Sequence, residues 1–228
     1  HITNTLYLSY IEDFASDGYA NFYYNSFSSN VMIGRSSTET YALGSYGLGI
    51  TSYFGGETTD IYREGDELTI SSIDHSDGKV IFIKDTSVRL DFGPKPLKEI
   101  QVFNKRGKLI KKILLSYIYK DCDTSVYCNE VQKRLFLSSI TDVDYGSHGE
   151  ETVGQPYVFS YYDNVKLPCV YSMAQDYYGY YNGKLSNSSL IPTYSWYNDL
   201  DIPSFGDRSI DTNFTKDGVL KLLKYPTG

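Results

Sequence analysis

Histidine is the side chain best suited to acid–base chemistry and zinc binding at neutral pH, and the chain has three histidines. His1 stands at the first position, where tag residues are common, and is set aside. His75 lies in the turn-like run Asp74–Gly78, and His148 lies in a glycine- and serine-containing run. Neither residue has a nucleophile elbow or a second histidine at metal-binding spacing, so the sequence predicts no hydrolytic triad and no zinc site.

Acidic side chains are the second source of chemistry. Two pairs place carboxylates two residues apart, Asp142 with Asp144 and Asp199 with Asp201. Calcium prefers several oxygen ligands from loops, so these four residues are candidate ligands, although their spacing is not that of an EF-hand. A glycan-cleaving enzyme would need two carboxylates about 5–10 Å apart in space, and this remains an alternative. We expect no cofactor other than such a structural calcium.

Tyrosine is the most over-represented residue type, with 24 copies. Its ring can stack on a sugar or contact a protein partner, but tyrosine is also a good strand former that tolerates half-burial. Both interpretations stay open. The candidate binding residues are aromatic and lie in the C-terminal quarter of the chain: Tyr177, Tyr178, Tyr180, Tyr181 and Trp196.

The charge balance limits the classes of partner. The chain carries 21 basic and 28 acidic residues, a formal net charge of −7. Nucleic-acid binding needs clustered lysine and arginine, so we expect no nucleic-acid partner. The sequence has no run approaching the roughly 18 apolar residues that a membrane-spanning helix needs, so we also expect no membrane-spanning segment.

The three cysteines bear on the cellular compartment. Cys122 and Cys128 are six residues apart, a workable span for a disulfide that closes a hairpin loop, and we predict this bridge. Cys169 stands among apolar residues and is interpreted as a buried small hydrophobe rather than a nucleophile. A disulfide is typical of proteins outside the cytoplasm.

Period-two alternation of apolar and polar residues predicts an all-β fold. Residues 67–73 place Leu68 and Ile70 on one face and Thr69 and Ser71 on the other. No stretch longer than about ten residues keeps a helical period. We expect antiparallel strands in a β-sandwich or in meander sheets, with strands near residues 19–24, 31–33, 67–73, 79–83, 87–92, 97–103, 109–119, 134–140 and 155–162.

The chain divides into two regions by composition. We predict a sandwich domain over residues 1–170, of which residues 1–66 are the part that could form a separate sheet. The glycine-rich stretch 41–56 is either a weak strand pair or a loop. Residues 171–228 are rich in tyrosine, glycine and asparagine, and we expect a loop-rich segment that packs on the first domain and leads into a following repeat region.

Several motifs follow one another in a recognisable order. Asp176 to Lys184 reads Asp-Tyr-Tyr-Gly-Tyr-Tyr-Asn-Gly-Lys, and a proline, Gly-Asp-Arg at 206–208 and a strand ending in Tyr-Pro-Thr-Gly come after it. With the preceding strands at 97–103, 134–140 and 156–168, this order resembles the segment before the YD repeats of large bacterial Rhs/YD-repeat-like surface and secreted proteins. The resemblance covers roughly residues 67–228.

The resemblance implies a parent protein that is exposed at the cell surface or secreted, and it brings no catalytic residue with it. We therefore expect a non-enzymatic structural or interaction module, whose partners are other domains of the parent protein or a glycan or protein ligand at the cell surface. The alternatives are a carbohydrate-binding module that uses exposed tyrosine and tryptophan, and a glycan-active enzyme with a carboxylate pair.

Overall fold

The computed structural model describes residues 7–13, 15, 17–43, 50–91, 93–123, 133–192 and 206–227. Every regular element in these ranges is a β-strand, which confirms the all-β prediction. The described ranges contain no helix with the length and apolarity to span a membrane.

Within the described ranges, ten strands follow one another. They are β1 (Tyr10–Asp13), β2 (Gly18–Leu43), β3 (Ile50–His75), β4 (Gly78–Lys84), β5 (Leu97–Asn104), β6 (Leu109–Asp121), β7 (Lys133–Tyr145), β8 (Glu151–Val153), β9 (Tyr157–Tyr161) and β10 (Leu220–Lys224).

The ten strands belong to one antiparallel sheet. Their order is β1-β2-β3-β4-β5-β6-β7-β9-β10, and β8 pairs with β7 beside this path. Neighbours in the sheet are mostly neighbours in sequence, as in a meander. The described strands thus form the meander rather than two packed sheets. The N-terminal strands are not a separate sheet, because β3 pairs with β4 through Ser72 opposite Ile81.

The longest pairing joins β2 to β3. Its register runs from Ala20 opposite His75 to Leu43 opposite Ile50, so much of the stretch 41–56 is a strand pair. At about 3.3 Å per residue, each 26-residue strand is about 85 Å long. Strand β1 pairs with β2 only as far as Asn21, and β4 pairs with β3 only as far as Ser72. Both flanking strands therefore lie beside the end of the β2–β3 pair where Ala20 is opposite His75. A lone two-stranded ribbon is marginally stable in water, so the far part needs other contacts.

The predicted strand over residues 87–92 is wrong in its described part. Residues 85–91 and 93–96 form no strand. The backbone N–H of Ser87 donates to Asp85 Oδ1, which makes a local turn. The Arg89 guanidinium binds both carboxylate oxygens of Asp91, and Arg89 Nη1 donates to the carbonyl of Pro94. Side-chain bonding to nearby backbone therefore competes successfully with strand pairing here.

Most of the sheet's side chains whose burial the structure describes are half-buried. Among the described residues, the fully buried apolar side chains are Cys122, Val143 and Ala174. Tyrosine rings suit this environment because the ring covers apolar surface while the hydroxyl finds a backbone partner. Tyr117 donates to the carbonyl of Leu97 at 2.7 Å, and Tyr161 donates to the carbonyl of Leu137 at 2.9 Å. These two hydroxyl groups hydrogen-bond β6 to β5 and β9 to β7.

The C-terminal segment returns to the sheet. Strand β10 pairs with β9 through Leu223 opposite Phe159. Arg134 of β7 donates from Nη2 to the carbonyls of Pro168 and Cys169 at 2.8 and 3.1 Å. The backbone N–H of Leu190 also donates to Ser37 Oγ on the long hairpin at 3.3 Å.

The cysteines are paired differently from the prediction. Cys122 is a free, buried thiol, so the predicted Cys122–Cys128 bridge is wrong. Cys169 is disulfide-bonded, so it is not simply the small buried hydrophobe that the sequence indicated. Cys128 lies outside the described residues. Burial raises the pKa of the Cys122 thiol, which keeps it protonated at neutral pH.

We predict that Gly78→Ala destabilises the protein by about 3 kcal/mol, because an added methyl group would overlap the sheet backbone. A Cβ at Gly78 would lie 2.0 Å from the carbonyl oxygen of Phe103. Gly107→Ala is the matched control, since Gly107 has a φ of +75° but no atom within 4 Å of its added Cβ. We expect about 1 kcal/mol there. Urea unfolding measures both, and equal losses would contradict the steric argument.

A second prediction concerns the thiols. The sequence holds three cysteines, so with Cys122 free we expect Cys169 to be cross-linked to Cys128. Chymotryptic cleavage after Tyr127 separates Cys122 from Cys128, and mass spectrometry of the unreduced peptides then identifies the bridge. One thiol per chain should react with an alkylating reagent, and only after unfolding. A cross-linked peptide that contains Cys122 would refute this pairing.

Candidate functional site

The tyrosine-rich motif folds into a tight turn around one buried carboxylate. Asp176 is 1% exposed, and its Oδ1 accepts the backbone N–H groups of Tyr178 at 2.8 Å and Tyr180 at 3.0 Å. Gly179 has a φ of +87°, a conformation that glycine adopts without strain. Side-chain bonds of this kind define a turn that does not depend on a neighbouring strand.

Asn182 and Arg208 join this turn to the segment around residues 206–209. Asn182 has 0% exposure, and its Nδ2 donates to the carbonyls of Asp207 at 2.8 Å and Ser209 at 3.1 Å. The Arg208 guanidinium donates to the carbonyls of Asp176 and Leu190. The polar residues of the motif thus supply donors to backbone carbonyls that have no sheet partner.

The candidate binding tyrosines divide into two groups. The side chains of Tyr177, Tyr178 and Tyr180 are exposed, and Tyr178 reaches 77%. Arg208 lies 5.4 Å from the centre of the Tyr177 ring, a cation–π contact that orients this ring. Tyr181 instead packs edge-on against Phe214, with ring centres 5.3 Å apart. Trp196 lies outside the described residues.

The candidate calcium ligands are not brought together in the described part of the chain. Asp142 binds Lys111 Nζ at 3.0 Å, and a lysine ammonium at that distance competes with any cation. Asp144 is exposed on the same strand. Asp199 and Asp201 lie outside the described residues. Within the described ranges, no group of three or more metal-ligating side chains is close enough to hold a metal ion.

The two histidines that lie in described segments are parts of turns. The backbone N–H of Asp77 donates to His75 Nδ1 at 3.2 Å, so this ring nitrogen is the acceptor of a hydrogen bond within the turn. His148 donates its backbone N–H to Glu150 Oε2 at 2.9 Å in an exposed loop.

The C-terminal segment and β7 enclose a cavity of about 530 Å³. Its walls include Arg134, Tyr180, Tyr181 and Asp217, together with the Arg89–Asp91 pair. A volume in this range is typical of small-molecule sites. The tyrosine turn therefore forms one side of the cavity.

Asp217 is the buried acid of this cavity. It is 6% exposed, and its Oδ1 accepts the backbone N–H of Asn164 at 2.7 Å. Its Oδ2 has no hydrogen-bond partner among the described residues. Burial, followed by the nearby carboxylates of Asp123 and Asp217, raises the pKa of Tyr181, so its hydroxyl stays protonated.

Sequence reasoning missed Asp217, Arg134 and the Arg89–Asp91 pair, because no short motif connects them. These residues are far apart in sequence and meet only when the C-terminal segment packs on β7. The one usable signal was Asp217-Gly218 before a strand, which reads as a turn.

No protein-family model matches the chain, and neither does any curated protein or solved structure. The functional argument therefore rests on the geometry of the described residues.

We predict that Asn182→Ala lowers the free energy of unfolding by about 3 kcal/mol, because it removes a fully buried side chain that donates to the carbonyls of Asp207 and Ser209 and accepts the N–H of Lys184. Asn213→Ala, at an exposed site in the same segment, is the matched control, and we expect a change within about 0.5 kcal/mol. Urea unfolding with the disulfide intact measures both variants. Similar values would mean that the Asn182 side chain does not hold the two loops together.

Proposed function

We propose that this chain is a non-enzymatic structural and interaction module of a larger bacterial surface or secreted protein, as its resemblance to Rhs/YD-repeat-like proteins implies. The observation that carries the proposal is the open sheet. Strands β1 and β10 end the strand order, and each pairs with one neighbouring strand in the described part of the chain.

The outer strands present apolar surface as well as backbone. On β1, Tyr10 and Ile11 are exposed, and on β10 the exposed residues include Leu220 and Leu222. An outer strand has backbone groups ready to pair with another strand, and natural proteins usually protect such edges with charge, proline or a covering element. Edges that carry apolar side chains favour docking to further β-structure. The partners we propose are therefore neighbouring β-rich domains of the parent protein.

The disulfide supports a location outside the cytoplasm. Cys169 is disulfide-bonded, and such bonds persist mainly in oxidising compartments. The chain also holds Cys122 as a buried thiol, where burial disfavours the reactive thiolate.

A non-enzymatic role agrees with how the polar residues of the motif are used. Asp176, Asn182 and Arg208 are committed to backbone hydrogen bonds within their own segment. His75 is likewise committed to its turn. An acid–base catalyst must instead reach the proton it transfers in a bound substrate.

Hydrogen–deuterium exchange tests the docking of the outer strands. Amides of β1 and β10 are compared between the isolated 228-residue chain and the protein as its own cells produce it. We expect at least tenfold slower exchange of the outer strands in the natural protein, because docking pairs their free backbone groups.

Strand β5 is the internal control, since it pairs with β4 on one side and β6 on the other. Its exchange should be the same in both samples. Equal exchange of β1 and β10 in the two samples would contradict the proposed docking, whatever the chain binds elsewhere.

A further inference from the structure

The two outer strands of the sheet run in the same direction. Nine strands lie on the path from β1 to β10 in the described part of the chain, and each of the eight pairings along it is antiparallel. Eight reversals leave β10 pointing the same way as β1. A second copy placed beside the first in the same orientation therefore brings its β1 alongside β10 as a parallel neighbour.

The register of the sheet also relates the faces of the two outer strands. Side chains alternate between faces along a strand, and directly paired residues share a face. The pairs that lead from β1 to β10 are Tyr10–Asn21, Asn21–Asp74, Asp74–Lys79, Ile81–Gln101, Gln101–Lys112, Lys112–Val143, Ser139–Val158 and Val158–Lys224. Where this path changes residue within a strand, it moves by an even number of positions. Tyr10 and Glu12 therefore share a face with Leu222 and Lys224.

The two outer strands are complementary when they are aligned in this way. Strand β1 begins Tyr10-Ile11-Glu12, and β10 ends Leu222-Leu223-Lys224. With Tyr10 beside Leu222, an apolar residue meets an apolar residue on each face, and Glu12 lies beside Lys224. Tyr10 is 47% exposed and Leu222 is 57% exposed, so pairing would remove apolar surface from water.

Charge distinguishes one outer strand from the other. Residues 1–34 contain no lysine or arginine, and β1 ends in Glu12 and Asp13. The stretch 216–224 contains three lysines, of which two lie on β10. Pairing of β1 with β1, or of β10 with β10, would bring like charges together, which is destabilising. Pairing of β1 with β10 brings opposite charges together.

The two charges that would meet are not neutralised within the described part of the chain. The Glu12 carboxylate contacts the Tyr10 hydroxyl, a neutral partner. No ion pair joins Glu12 or Lys224 to a described side chain of opposite charge. Lys221 instead lies 5.6 Å from the centre of the Tyr162 ring, at the irregular part of β10. The last three residues of β10 are therefore the part best suited to a new strand.

We propose that β1 of one copy of this chain pairs in parallel with β10 of a second copy, with Glu12 beside Lys224. The contact is head-to-tail, because each copy contributes a different outer strand, and it leaves one β1 and one β10 open to further copies. This inference rests on the proposed docking of the outer strands and names the docked β-rich domain as an identical one. Only four residues of β1 and five of β10 take part, so association is weak and increases with concentration.

Sedimentation equilibrium of the full 228-residue chain, from micromolar to millimolar concentration, is the first measurement. We expect the average mass to rise with concentration and to pass that of a dimer, because a head-to-tail contact does not close after two copies. High salt should weaken the association, since it screens exposed charges.

Charge reversal identifies the strands that meet. Glu12→Lys and Lys224→Glu each place like charges side by side, and we expect about tenfold weaker association for either variant alone. An equimolar mixture of the two variants should recover the association, because the altered β1 of one variant then matches the altered β10 of the other. Both residues are exposed, and circular dichroism melting checks that each variant is folded.

Glu151→Lys and Lys105→Glu are the matched controls. They make the same charge changes at exposed positions on β8 and in the turn between β5 and β6. Both should associate like the unaltered chain. A zero-length carbodiimide cross-link in a mixture of unlabelled and ¹⁵N-labelled chains should join a Glu12 peptide of one copy to a Lys224 peptide of another.

Three results would overturn the proposal. The first is a chain that remains monomeric up to millimolar concentration. The second is association that Glu12→Lys and Lys224→Glu leave unchanged, which would place the contact on another surface. The third is association that each variant weakens but their mixture does not recover, which would indicate contacts between like strands.

Failure of this inference is distinguishable from failure of the proposed function. The hydrogen-exchange comparison is made at a concentration at which the isolated chain is monomeric. A monomeric chain whose outer strands are protected in the natural protein would mean that a different domain covers them. Association of the isolated chain without protection in the natural protein would contradict the proposed function.

Discussion

Backbone groups that take no part in a sheet need other hydrogen-bond partners, and in the C-terminal third of this chain polar side chains provide several of them. Asn182 and Arg208 bond to carbonyls from two stretches that have almost no regular secondary structure. Asp176 performs the complementary task by accepting two backbone N–H groups. These bonds hold the segment in one conformation alongside the backbone pairing of β10 with β9.

The position of the tyrosine turn against β7 depends on the same bonds. Arg134 secures the strand side of the junction by donating to the carbonyls of Pro168 and Cys169, next to the disulfide. The cavity lies between the tyrosine turn and the part of β7 around Arg134, and Asp217 is buried in its wall. Hydrogen bonds therefore hold both sides of the cavity.

The abundance of tyrosine has two physical explanations in one molecule. Within the sheet, Tyr117 and Tyr161 use their hydroxyls to bond carbonyls of other strands, as half-buried strand residues do. On the tyrosine turn, Tyr177, Tyr178 and Tyr180 are exposed. Composition alone cannot separate these roles, because the ring suits both a pleated surface and a ligand.

The sequence determined the strand content. Each of three stretches predicted as a strand lies within one strand of the structure: 67–73, 97–103 and 109–119. It failed over residues 87–91, where Asp85 and Arg89 bond to the local chain. It also predicted the wrong cysteine pair, because six residues between two thiols say nothing about which sulfur atoms meet. Only the tertiary structure decided the single continuous sheet, the disulfide at Cys169 and the burial of Asp217, because each depends on segments distant in sequence.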